Sequence, residues 1–242
     1  MLKLRCSVLL LALLSGFCRA DLPVVIVGYY DFPPSIYTTP DGRAQGPLHD
    51  LLTRMLQRSG YTADFRGMPI ARLYNELREG RVDLWAGAPN KQELRGHVLE
   101  SDRALAEVRL NLYRRPDTPA PKVPEGLAGK VMIMLSGYSY WPHTRELLLD
   151  PAHEIIQLRT HHRASALELL RRGRGDYLLD YQLPIEQTLE ESGLPPLPYT
   201  TVESLPIRLI VSRKSANAPL LLQRLDETFD QMQAAGEDMQ LP

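Results

Sequence analysis

Cysteine is nearly missing from this chain: two in 242 residues, Cys6 and Cys18, both within the first twenty. A cut after Ala20 leaves 222 of the 242 residues and no cysteine, which excludes disulfides, thiolate metal sites and cysteine nucleophiles together. Long apolar runs are missing as well. The run from Val8 to Leu14 is too short to span a bilayer, and no later stretch approaches the roughly 20 residues that a span needs. Excess charge is absent: a formal net charge of −1 and a pI near 6.6 supply no field for nucleic acid or an anionic membrane surface. Partners must therefore be sought in local sites. A nucleophile elbow, a zinc triplet and a phosphate loop are all lacking, and His161-His162 has the character of a polar surface turn. No metal, cofactor or catalytic residue is expected.

What is present begins with a targeting pattern. Lys3 and Arg5 precede the short apolar run, and Cys18-Arg19-Ala20 places small residues three and one before a cut, so residues 1–20 are expected to be a cleaved signal peptide. Phe17 before Cys18 disfavours a lipoprotein signal. The mature chain, from Asp21, is expected to be a soluble periplasmic monomer.

From there, short β-rich runs alternate with amphipathic ones. Val24 to Tyr30 is an almost continuously apolar strand. Leu48, Leu51, Leu52, Met55 and Leu56 recur at helical spacing until Gly60. Thr62 to Arg66 is a second strand, Ile70 to Arg78 a helix stopped by Gly80, and Val82 to Ala86 a third strand, together a βαβαβ unit with a parallel sheet. After Val108 to Tyr113 a proline-rich stretch reaches Pro124 and the alternation restarts. Lys130 to Leu135, Ile155 to Leu158 and Asp176 to Leu179 are strands, with helices at Thr144 to Leu149 and Ala164 to Arg172. Leu205 to Ser212 is one more strand, and Pro219 to Met232 a closing helix with Leu221, Leu222, Leu225 and Phe229 on one face. The predicted fold is α/β with two lobes: residues 21–112 and 207–242 form lobe 1, residues 113–206 form lobe 2, and Val108 to Tyr113 and Ile207 to Val211 are the crossings.

The halves share one signal. In Leu77-Arg78-Glu79-Gly80-Arg81-Val82-Asp83-Leu84 and Leu170-Arg171-Arg172-Gly173-Arg174-Gly175-Asp176-Tyr177, a glycine stops a helix and an aspartate enters a buried strand. With these copies go an aromatic-proline turn, Tyr30-Asp31-Phe32-Pro33-Pro34-Ser35-Ile36-Tyr37, the helix start Asp41-Gly42 through Gly46-Pro47-Leu48-His49-Asp50-Leu51, and Leu127-Ala128-Gly129-Lys130 followed by Gly137-Tyr138-Ser139. Collectively the mature chain resembles the family 3 extracellular solute-binding proteins, the amino-acid-binding class of ABC transport systems with the type II periplasmic binding fold. That resemblance implies capture of a small amino acid, carboxylate or amine between two closing lobes, with an ABC permease in the inner membrane as partner. It also implies an arginine after the third strand for the ligand carboxylate, nearest to Arg95, and an aspartate at a second-lobe strand end for the ammonium, nearest to Asp180, although strand period leaves open whether Asp180 or Tyr181 faces the cleft.

In such folds ligands sit beyond the carboxyl ends of the strands. That places Tyr30, Asp31, Phe32, Trp85, Gly87, Arg95, Tyr138, Ser139 and Asp180 near one cleft. Aromatics would cover apolar or planar parts of a ligand, and a guanidinium would hold a carboxylate bidentately. Tyr30 and Phe32 serve core packing equally well, and Trp85 fits the core better. Arg72, in Pro69-Ile70-Ala71-Arg72, is either a second anion contact or a solvated helix-start arginine. Arg95 is preferred to Arg72. Two other classes use this fold: a dehydratase acting on arogenate or prephenate, for which Glu100 or Glu107 would be the acid, and a soluble ligand-sensing partner of a membrane receptor.

Overall fold

The computed structural model describes residues 22–138, 140, 142–237 and 239. The expected signal segment and Ser139 lie outside the described residues. The chain runs through β1 (Val24–Tyr29), a small antiparallel ribbon of β2 (Tyr37–Thr38) and β3 (Ala44–Gln45), α1 (Pro47–Arg58), β4 (Thr62–Gly67), α2 (Ile70–Glu79), β5 (Leu84–Gly87), β6 (Val98–Glu100) and β7 (Ala106–Tyr113). It continues through β8 (Val131–Leu135), α3 (Pro142–Leu149), β9 (Ile156–Thr160), α4 (Arg163–Arg171), β10 (Tyr177–Tyr181), α5 (Gln182–Glu191), β11 (Tyr199–Ser212) and α6 (Ala218–Ala234).

The strands lie in the order β4-β1-β5-β11-β7-β10-β8-β9, with β6 also pairing β11. Each lobe repeats one plan. β1 is flanked in parallel by β4 and β5, and β8 in parallel by β9 and β10; β11 then runs antiparallel to β5, and β7 antiparallel to β10. The repeated aspartates have one job in both lobes. Asp83 Oδ2 accepts the Ile26 N–H at 2.8 Å, and Asp176 Oδ2 accepts the Val131 N–H at 2.8 Å, while each aspartate donates its own N–H back to the carbonyl of that same residue. The glycine before Asp83 ends α2 in the left-handed conformation, with φ 73° at Gly80.

Helices bury one stripe each. Leu48, Leu51, Leu52, Met55 and Leu56 of α1 and Leu221, Leu225, Phe229 and Met232 of α6 cover one face of the first sheet, while Leu73, Tyr74 and Leu77 of α2 cover the other with Trp85 and Ile210. In the second lobe Ala166, Leu167 and Leu170 of α4 and Ile185 and Leu189 of α5 pack on Tyr113, Ile133 and Leu178. The opposite face collects Leu110, Met132, Met134, Tyr177 and Tyr181, and into this cluster the first lobe sends Ala88 and Phe32. Among the described residues no helix is long and apolar enough to cross a membrane.

Three features differ from the sequence expectation. β11 begins at Tyr199 rather than Leu205, because Tyr199 to Ile207 pair with Tyr113 to Ala106 of β7, a partner that local sequence does not show. From Arg208 onward the same strand pairs β5, so one strand serves both lobes. α5 was not anticipated; Pro184 falls in its first turn, where a missing N–H breaks no intrahelical bond. The short strand β6 was likewise not anticipated and exists through pairing with Ile210 to Ser212.

Candidate functional site

The carboxyl ends of β1, β5, β8 and β10 converge on one interlobe cavity of about 470 Å³. The first lobe contributes Tyr30, Phe32, Trp85, Gly87, Ala88 and Lys91, and the second Ser136, Gly137, Tyr138 and Tyr181. The aromatic rings form a continuous wall across the cleft. Trp85 meets Tyr30 at 6.5 Å between centroids, Tyr30 meets Phe32 at 6.3 Å, Phe32 meets Tyr181 edge-on at 5.3 Å, and Tyr181 meets Tyr138 at 5.5 Å. The Phe32–Tyr181 pair joins the lobes. Gly87 has a steric reason to be glycine: a Cβ there would lie within 2.0–2.5 Å of the Trp85 ring.

Polar groups are few. Asp31 and Glu107 line the cavity but are held by their own neighbours. Asp31 Oδ1 accepts the Thr38 N–H at 2.8 Å and the Thr38 hydroxyl at 2.9 Å, and Glu107 accepts the Ser204 hydroxyl and stands 3.5 Å from Arg109. Lys91 is the one cation in the described lining. Burial pushes its ammonium below the usual lysine range, against the pull of Glu93 and Glu203. Burial pushes the Tyr30 hydroxyl well up, and Tyr138 on the opposite lobe adds to the effect; Tyr181 rises for the same reasons, burial first and then Tyr30. These hydroxyls stay protonated across the physiological range and can donate to a ligand.

Tyr30, Phe32, Gly87 and Tyr138 thus line the cavity, together with Asp31 and Trp85, and Ser139 lies outside the described residues. Three other anticipated residues stand elsewhere. Arg95 is exposed after a short 3-10 turn, Gln92–Leu94, whose Leu94 is fully buried; it lines a neighbouring recess with Asn90, Lys91, Gly96 and Glu100 and is not in the lining of the main cavity. Arg72 is exposed on α2 and pairs with Glu76 at 3.7 Å, although its neighbours Pro69, Ile70 and Ala71 line the cavity. Asp180 is fully buried behind the wall, not in it. Its Oδ2 pairs with Arg163 Nε at 2.7 Å and its Oδ1 accepts the Tyr181 N–H at 2.7 Å. Arg163 also donates to the Tyr138 hydroxyl. Burial pushes the Asp180 carboxyl up and Arg163 pulls it back, so both oxygens are occupied within the protein. Tyr181, the next residue, takes the cavity face. Lys91, Tyr181 and Arg163 are the residues that sequence reasoning missed as a set. Tyr181 was available as the alternative to Asp180, and Lys91 as a cation just beyond β5; nothing local marks Arg163.

The profile of the bacterial extracellular solute-binding proteins, family 3, matches residues 24–241. Solved structures with the same fold include a histidine kinase sensor domain with similarity to periplasmic binding proteins, 22% identical over 89% of this chain and 92% of that one, with a TM-score of 0.70. An ancestral arginine-binding protein bound to arginine is 20% identical over 88% of this chain and 93% of its own, with a TM-score of 0.68. An ancestral amino acid-binding protein described as a precursor of cyclohexadienyl dehydratase is 17% identical over 88% and 90%, with a TM-score of 0.64. No curated protein sequence matches the chain significantly.

Proposed function

The chain belongs to the bacterial extracellular solute-binding proteins, family 3, and on that premise we propose that it captures a small polar ligand, an amino acid or related carboxylate or amine, between two closing lobes. In this reading it is a secreted periplasmic monomer that delivers its ligand to an ABC-type permease of the inner membrane. The lobes divide at 112/113 and 206/207, and β7 and β11 flex as the hinge. The supporting observation is the interlobe cavity of about 470 Å³, whose wall is completed only where Phe32 of one lobe meets Tyr181 of the other.

Within this reading Tyr30, Phe32, Trp85, Tyr138 and Tyr181 cover the apolar or planar part of the ligand, and the tyrosine hydroxyls and Lys91 meet its polar groups. The anion contact moves from Arg95 to Lys91, because Lys91 lines the cavity and Arg95 does not. Asp180 acts through Tyr138 and Tyr181, by way of Arg163 and its own strand, and not on the ligand.

A thermal-shift screen of the mature protein against amino acids, polyamines, organic acids and small peptides tests the proposal, since a ligand that binds only the native state raises its melting temperature. At least one compound should produce a concentration-dependent rise that Tyr181→Ala abolishes. A panel without any rise, or a rise that survives Tyr181→Ala undiminished, removes the cavity as the site.

A further inference from the structure

Beside the main cavity lies a second interlobe chamber of about 250 Å³, and the two share Lys91 and Tyr138 as lining residues. Its chemistry differs from that of the aromatic cavity. The first lobe supplies Lys91 and Glu93, and the second supplies Arg145, Gln157 and Arg159. The lining thus carries three cations and a single carboxylate, drawn from both lobes. Gln157 orients one of the arginines: its Oε1 accepts from Arg159 Nη2 at 2.9 Å, while its Nε2 donates to the Leu148 carbonyl at 3.1 Å.

The closed chamber holds three cations to one carboxylate, a net positive lining to which an anionic group is electrostatically matched. The main cavity offers aromatic walls and one ammonium, and the adjoining chamber offers two guanidinium groups suited to a carboxylate. We propose that the two chambers form one extended site, and that the ligand is an anion with an apolar or aromatic body in the main cavity and a carboxylate-bearing arm reaching past Lys91 to Arg145 and Arg159. The chemistry is that of a small acidic peptide or acylated amino acid, larger than a single α-amino acid. This inference rests on ligand capture in the main cavity.

Isothermal titration of the mature protein with phenylalanine, phenylalanyl-glutamine and phenylalanyl-glutamate separates the terms, because the two dipeptides differ in charge and hardly in shape. Phenylalanyl-glutamate should bind about fivefold or more tightly than phenylalanyl-glutamine. The ratio should fall to within about twofold in Arg145→Gln/Arg159→Gln, and in the wild type it should shrink as sodium chloride is raised. Equal binding of the two dipeptides, a ratio that survives the double substitution, or a ratio indifferent to salt overturns the proposal. Binding of phenylalanine alone overturns it while leaving capture in the main cavity standing. Binding of none of the three overturns it, and the wider screen then decides whether capture falls with it.

Discussion

Lys91 supplies the charge that the aromatic walls lack, and its burial gives that charge a pH signature. Burial sets its proton affinity below the ordinary lysine range, so the neutral form appears at a lower pH than for an exposed lysine. An anionic ligand favours the ammonium. Binding of an anion through Lys91 should therefore weaken as pH rises, and should begin to do so at a lower pH than it would with an exposed lysine. Lys91→Arg, which keeps its charge, should flatten the alkaline limb of an affinity profile, and Lys91→Met should weaken binding about tenfold or more at neutral pH, as expected for loss of a charge-assisted hydrogen bond. Arg95→Ala should leave affinity within about twofold, since the side chain is exposed and outside the main cavity's lining. Titration calorimetry across pH reads all three; an alkaline limb unchanged in Lys91→Arg would remove Lys91 from the anion contact and reopen the case for Arg95.

The repeated glycine-then-aspartate turn has its meaning at the scale of elements. Asp83 and Asp176 each tie the start of the third strand of a lobe to its first strand, through a carboxylate on a backbone N–H at 2.8 Å and a reciprocal bond from the aspartate's own N–H. Replacing either with alanine leaves a half-buried donor unsatisfied, at a cost of about 1.5–3 kcal/mol for a hydrogen bond to a charged group. Asp83→Ala and Asp176→Ala should each lower unfolding free energy by that order in denaturant titrations. Their effects should be additive within about 0.5 kcal/mol, since they sit in different lobes with no shared partner. Losses below about 0.5 kcal/mol in both, the range of ordinary surface substitutions, would reduce the turns to simple connections. Gly28 shows the same tight fit between strand and helix: a Cβ there would lie 2.3 Å from Leu73 Cδ1 of α2.

For the whole molecule, the decisive feature is that the lobes touch through side chains at the cleft and through backbone where β7 and β11 pair. Phe32 packs on Tyr181 and Ala88 joins the second lobe's core, while β7 and β11 pair continuously except for a register shift between Thr201 and Glu203. An aromatic pair contributes about 0.5–1.5 kcal/mol beyond area burial, enough to shift a closed-open balance several-fold and too little to lock it. A ligand that fills the cavity adds contacts available only in the closed form. Small-angle scattering should therefore show compaction when a binding compound from the screen is added, and ligand-free Phe32→Ala should be more expanded than the ligand-free wild type. Identical dimensions in all three samples would end the hinge-closure account.

The amino-acid sequence determined the parts of this protein that local periodicity and local stops control. Alternating apolar runs laid out two βαβαβ halves, and Gly80 and Gly173 with Asp83 and Asp176 marked equivalent turns. The strand-end positions of Tyr30, Phe32 and Gly87 follow from where those runs stop. Tertiary structure decided what depends on orientation and distant partners. Period two says that Asp180 and Tyr181 face opposite ways; only the packing of β10 between β7 and β8 decides that Tyr181 takes the cavity and Asp180 the buried pair with Arg163, seventeen residues away. The turn at Gln92–Leu94 buries Leu94 and leaves Arg95 outward, so the charge beside the cavity is Lys91. The length of β11 was set by β7, whose carbonyls and N–H groups hold Tyr199 to Ile207 extended. A chain encodes its own faces locally, but which face meets a cleft is fixed by what packs on the other side.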